Sequence, residues 1–282
     1  MEGVLPRSSE KIDKVTFLQL FSMIKDKDWL TIKNDQLWDL WQLTSCVEQR
    51  DLLEILIRDF NYITSREIDS MGRTIANEII DNWNLDPSNT LISAVCTDSN
   101  PDGSQVIVQS IKNKFNNKKF DISNNLDSAL KRLKNSMTLV LADDFIGTGD
   151  TMCTKILPKV YAKIKEMNLV GVNVNVIAFA AMNFAKEKLD NEKIEYFSCM
   201  WLNKGISDNS KICDIEHAKN LMKEMEASLS PNLPNSKFHL GYNQSETLFC
   251  NEGYNIPNNV FPIFWYRKNN DTNYKPMFDG RV

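Results

Sequence analysis

Histidine is nearly absent from this chain: His217 and His239 are the two it has in 282 residues. A Ser-His-Asp triad or a histidine-rich metal centre would have to use one of them, and neither lies in a recognisable motif. Paired cysteines are missing as well. Cys46, Cys96, Cys153, Cys199, Cys213 and Cys250 are scattered with no C-x-x-C spacing, which excludes the usual zinc and redox motifs and points to reduced thiols in a cytoplasmic protein. There is no excess of positive charge, the formal net charge being -4. The chain as a whole is therefore not built to sit on nucleic-acid phosphates, although a local basic face stays open. Finally, no apolar run reaches the length of a membrane span, and the opening MEGVLPRSSEKIDKV carries charge where a signal peptide needs an apolar centre. The expectation is a soluble, cytoplasmic protein with no membrane partner.

What is present suffices for a substantial core, with 42% hydrophobic and 10% aromatic residues. From Lys14 to about Leu85 apolar residues recur at helical spacing, as in Leu18, Phe21 and Ile24 and again in Ile55, Phe60 and Ile63. Trp38, Trp41 and Trp83 fall inside this stretch and read as core packing. The pattern breaks at Asp86-Pro87-Ser88-Asn89. Short β-rich runs then alternate with helical ones: strands over 90–97, 138–142, 172–180 and 194–202, with helices over 105–115 (Ser104 as its N-cap), 151–167 and 184–190. Such alternation predicts an α/β fold with a mostly parallel sheet, whose ligands bind beyond the carboxyl ends of the strands. A further helix over 214–229 leads into an aromatic tail that is too apolar to stay in water. The predicted divisions are a helical N-terminal region at 1–87, an α/β core at 88–205, and a C-terminal cap at 206–282 packed on that core.

The chemistry gathers in LVLADDFIGTGDT, Leu139 to Thr151. An apolar strand delivers two adjacent carboxylates, then a loop with two glycines and two threonines, then a helix. Backbone N–H groups of such a loop converge on one point, and the start of the following helix adds positive potential suited to a phosphate. The carboxylates would repel that phosphate unless they face donors such as sugar hydroxyls or metal-bound water. A phosphorylated ribose meets both requirements. A strand that simply ends in a capped turn is the competing reading of the same residues.

Asp143-Asp144-Phe145-Ile146-Gly147-Thr148-Gly149-Asp150-Thr151, preceded by LVLA, resembles the signature of the type I phosphoribosyltransferases over a core of about 90–202. The resemblance implies a sheet of phosphoribosyltransferase type. It also implies that Asp143 and Asp144 take the ribose hydroxyls of phosphoribosyl pyrophosphate (PRPP), that Gly147, Thr148, Gly149, Asp150 and Thr151 hold the 5′-phosphate, and that Mg2+ arrives on the ligand's pyrophosphate with no direct protein ligands. By order, DSNPDGS supplies the candidate pyrophosphate loop through Asp98, Ser99, Gly103 and Ser104. It departs from the family's pattern in having no Lys or Arg, which puts ordinary transferase turnover in doubt. The flexible loop of such enzymes corresponds to 112–125, where Lys114, Lys118 and Lys119 supply charge; a solvated lysine-rich linker reads equally well there.

The helical leader and the tail segment PNNVFPIFW resemble the phosphoribosyltransferase-like effectors of bacterial conflict systems, including those encoded beside retron reverse transcriptases. That resemblance implies an anti-phage effector, toxic when released from its partner. The candidate partners are a retron reverse transcriptase with its multicopy single-stranded DNA and a winged-helix protein. A housekeeping nucleobase phosphoribosyltransferase and a non-catalytic PRPP or nucleotide sensor are the alternatives. Catalytic residues and oligomeric state are not legible. Cys153, Trp201, Trp265 and His239 read as structural before they read as functional.

Overall fold

The structure, a computed structural model, describes residues 13–96, 103–254 and 256–280. It divides into two compact units, one made of Met1–Tyr62 with Asn203–Val282, the other of Ile63–Leu202. Along the chain, helices α1 (Lys14–Asp26), α2 (Asn34–Trp41) and α3 (Val47–Asp59) lead to strand β1 (Asn61–Ile63) and helix α4 (Ser65–Asn77). Strand β2 (Thr90–Ala94), α5 (Ser104–Ile111), β3 (Asp121–Ser123), α6 (Leu126–Leu130) and β4 (Thr138–Ile146) follow. Then come α7 (Leu157–Glu166), β5 (Asn173–Met182), α8 (Lys186–Asn191), β6 (Glu195–Leu202), α9 (Ile215–Leu229) and β7 (Phe249–Asn251). Among the described residues no helix is long and apolar enough to cross a membrane.

The unit Ile63–Leu202 is the α/β one. Its five strands lie in the order β3-β2-β4-β5-β6, and every neighbouring pair is parallel. Parallel neighbours require crossover connections, which the intervening helices supply. Strands β2 and β5 are almost wholly buried, as is β4 over 139–142, as expected of central strands covered on both faces. On one face Leu139, Leu141, Val174 and Val176 pack with Leu126 and Leu130 of α6, Leu157 and Val160 of α7, and Leu189 of α8. Helix α5 is not in that cluster; it packs on β2, β4 and α4. Gly72 of α4 makes the approach to α5 possible, since a Cβ there would lie 2.8 Å from the Ser110 carbonyl oxygen.

The unit formed by the two ends is helical with an irregular tail. Leu20, Met23, Leu30, Leu40, Leu53, Leu56 and Phe60 share one buried cluster with Met222 and Met225 of α9 and with Phe261, Ile263, Phe264 and Phe278. Phe60 stacks on Phe278 and meets Phe264 edge-on, both at 5.1 Å between ring centroids. Full burial of such side chains contributes roughly 1.5–3 kcal/mol each. The buried carboxylate of Glu246 accepts from the backbone N–H groups of Ile206 and Ser207 and from the Ser207 hydroxyl at 2.6–3.0 Å.

Several expectations change. The first boundary falls at Tyr62/Ile63 instead of 87/88, so α4 goes with the sheet, and the tail shares its core with the leader helices. The segment 112–125 is not an open loop throughout: β3 pairs with β2 as an edge strand, and Lys114 is committed to an ion pair with Asp69. Ser104 is the first residue of α5 and is buried, with Gly103 in the cap position. The helix after the glycine loop opens with a π-turn, Met152–Ile156, before α7.

Candidate functional site

The topology itself makes a crevice. The chain leaves β2 toward β3 on one side of the sheet and later returns to place β4 on the other side of β2. The helix after β2 and the helix after β4 lie on opposite faces of the sheet. The carboxyl ends of two such strands part, and open parallel sheets bind their ligands there. Strand β4, central in the sheet, brings LVLADDFI to this point and pairs with β5 as far as Ile146↔Ala181.

Side chains alternate along β4. Asp144 has the parity of Val140 and Ala142, and Asp143 that of Leu139 and Leu141. Asp144 accordingly meets the start of α5, where a Cβ built on Gly103 would lie 2.2 Å from Asp144 Oδ2 and 2.6 Å from Oδ1. Only a residue without a side chain lets the backbone come so close. The end of the DSNPDGS segment and the acidic pair thus adjoin. Asp143 and Asp144 are both partly exposed at the strand end. Asp98 and Ser99 lie outside the described residues; Gly103 and Ser104 lie within them, Ser104 with its side chain buried.

The turn after β4 is tight. Gly149 takes φ +76°, a left-handed conformation natural to glycine, and its carbonyl accepts from the Cys153 N–H at 2.9 Å to start the helix. The Thr148 hydroxyl donates to Asp150 Oδ2 at 2.8 Å and accepts from the Asp150 N–H at 3.3 Å. The other carboxylate oxygen, Oδ1, forms an ion pair with Lys188 of α8. Thr151, next in the chain, is exposed. Gly147, Thr148, Gly149, Asp150 and Thr151 therefore form one turn at the β4 end, two residues after the acidic pair.

Lys188 was not legible as a member of this group. Its neighbour Lys186 places its ammonium 4.2 Å from the ring centre of Trp201, at the end of β6. Cys153, one turn into the helix, has its thiol pushed up by burial. Trp265 and His239 belong to the other unit. The Trp265 indole donates to the Val260 carbonyl at 2.9 Å, and His239 Nδ1 lies 2.6 Å from the buried carboxylate of Glu226. Among the described residues no three His, Cys, Asp or Glu side chains gather as a metal cluster.

A parallel sheet with an acidic pair and a glycine-threonine turn at its topological switch defines a phosphoribosyltransferase-like α/β protein. The chain belongs to the PRTase-CE family, whose profile matches residues 45–279. Similar solved structures include a protein from Neisseria gonorrhoeae with bound ppGpp, at 15% identity over 57% of this chain and 94% of that one, TM-score 0.35. Mycobacterium tuberculosis orotate phosphoribosyltransferase in complex with inorganic phosphate is 15% identical over 55% and 96% of the two chains, TM-score 0.35. Schistosoma mansoni hypoxanthine-guanine phosphoribosyltransferase in complex with IMP is 13% identical over 51% and 69%, TM-score 0.36. No curated protein matches the chain in sequence.

Proposed function

We propose that the protein binds PRPP or a related ribose-phosphate nucleotide at the β4 end and acts as an effector of a bacterial anti-phage system of retron type, toxic when released from its partner. One observation carries the ligand half: Asp143 and Asp144 stand at the end of β4, two residues before the Gly147–Thr151 turn, with Gly103 against Asp144. In this reading the carboxylates accept from ribose hydroxyls, and the Thr148 and Thr151 hydroxyls and the turn's N–H groups donate to the 5′-phosphate. The hard carboxylate oxygens of Asp143 and Asp144 suit a Mg2+ ion that travels with the ligand, whose role is to offset pyrophosphate charge. Asp98 and Ser99 are the proposed pyrophosphate contacts.

The effector half rests on the likeness of the leader and tail to conflict-system effectors, and their partners, a reverse transcriptase with its single-stranded DNA and a winged-helix protein, are part of the proposal. Expression in a bacterial host lacking the partner is the test. The parent should arrest growth, and Thr148→Val, which removes one phosphate donor, should relieve the arrest. A parent that is harmless with and without the partner overturns the effector role.

A further inference from the structure

The glycine-threonine turn contains an acid, and a carboxylate in a phosphate seat is an electrostatic contradiction. Asp150 holds the Thr148 hydroxyl at 2.8 Å, so its carboxylate competes with any incoming phosphate for a donor that the loop would offer. Lys188 meets this carboxylate from α8, which follows β5. Two observations place it there. Its ammonium pairs with Asp150 Oδ1, and its stem lies over the turn, a Cβ built on Gly149 being 3.7 Å from both Cβ and Cδ of Lys188.

We infer that Lys188 is a positioning residue for the phosphate turn: it is the counter-charge that retains the Asp150 carboxylate while the Thr148 hydroxyl turns to a ligand phosphate. The inference rests on the ribose-phosphate reading of the site. Without Lys188, the carboxylate would lose this ion pair and bring its charge to bear on the ligand. A single negative charge at roughly 6 Å from a phosphate dianion, in a medium as polar as water, weakens binding about tenfold. The side chains of Lys188 and Asp150 are 47% and 37% exposed, so replacing them leaves the core untouched.

The test is calorimetric titration with ribose 5-phosphate, which has no pyrophosphate, and with PRPP and Mg2+. It compares the parent, Lys188→Ala, Asp150→Asn and the double variant, each checked for an unchanged thermal melt. Lys188→Ala should bind ribose 5-phosphate about tenfold more weakly. Asp150→Asn should bind at least as well as the parent, and the double variant, which carries neither charge, should return to within about threefold of the parent. Lys188→Arg should stay close to the parent. A double variant as weak as Lys188→Ala would mean that Lys188 acts on the ligand directly and would overturn the inference. So would parental affinity in Lys188→Ala, which leaves the phosphate reading standing. A parent that binds neither ligand overturns both.

Discussion

Replacing Gly103 by alanine separates ligand binding from folding at this site. The residue is helical, with φ -55° and ψ -31°, so an alanine fits the backbone without strain, and the substitution by itself would stabilise by about 0.4–1 kcal/mol through the unfolded chain. Its Cβ, however, would arrive 2.2 Å from Asp144 Oδ2 and 2.5 Å from Cγ. To restore ordinary contact the carboxylate has to retreat by about 1 Å. Asp144 is partly exposed and has two side-chain torsions, so this retreat costs the fold about 1 kcal/mol, which the unfolded-state gain largely offsets. The melting temperature should move by less than about 4 °C. Binding responds differently: a charge-assisted hydrogen bond is worth about 1.5–3 kcal/mol, and its loss weakens the ligand about 10- to 100-fold. Thermal melts with titration of PRPP and Mg2+ give both quantities. Parental affinity in Gly103→Ala would refute the placement of Asp144 against the ligand.

Other consequences lie outside the sheet. Deleting everything after Asn251 removes Phe261, Ile263, Phe264 and Phe278 from the cluster of the leader helices, a loss of several times 1.5–3 kcal/mol; circular dichroism should show those helices melted, and an unchanged spectrum would contradict the shared core. Glu226→Ala leaves His239 and the Leu240 N–H without their carboxylate and should cost about 2–4 kcal/mol in denaturant unfolding. Burial raises the Glu226 pKa from 4.5, so this group's stabilising contribution is complete below about pH 4.5 and is lost as pH rises through the raised value. Glu226→Gln should therefore gain on the parent as pH increases over that window, and a pH-independent difference would contradict it. Burial also pushes the Cys199 thiol up to about 12, whereas Cys213 is exposed. At pH 8, iodoacetamide should modify Cys213 at least about tenfold faster, as read by mass spectrometry.

The four long strands were legible because each is an apolar run bounded by turn residues, and β4 announced its loop through the order of the acidic pair and the glycines. Strand β3 was hidden: Ile122 is its one apolar residue, in an Asn- and Lys-rich stretch, and an edge strand is fixed by the partner it lies against. The boundary at Tyr62 left no mark, since helical spacing runs through α3 and α4 without a change of composition, while the tail that completes the leader's core lies some 200 residues further along. Within the site, local order along the chain placed Asp143 to Thr151, but nothing local links Asp150 to Lys188, 38 residues away. Nor does sequence reveal that Gly103 is a glycine because Asp144 needs its space.

The central claim is that the acidic pair and the turn after it form a ribose-phosphate seat. Titrating the parent and Asp143→Asn/Asp144→Asn with PRPP and Mg2+ by calorimetry tests it most directly, because the exchange removes two charges at almost constant volume. Asparagine still accepts a hydrogen bond, but the loss of two charge-assisted bonds weakens affinity by at least roughly 100-fold, with the thermal melt unchanged. A double variant that binds as tightly as the parent would show that the loop is a structural turn, and would contradict the account.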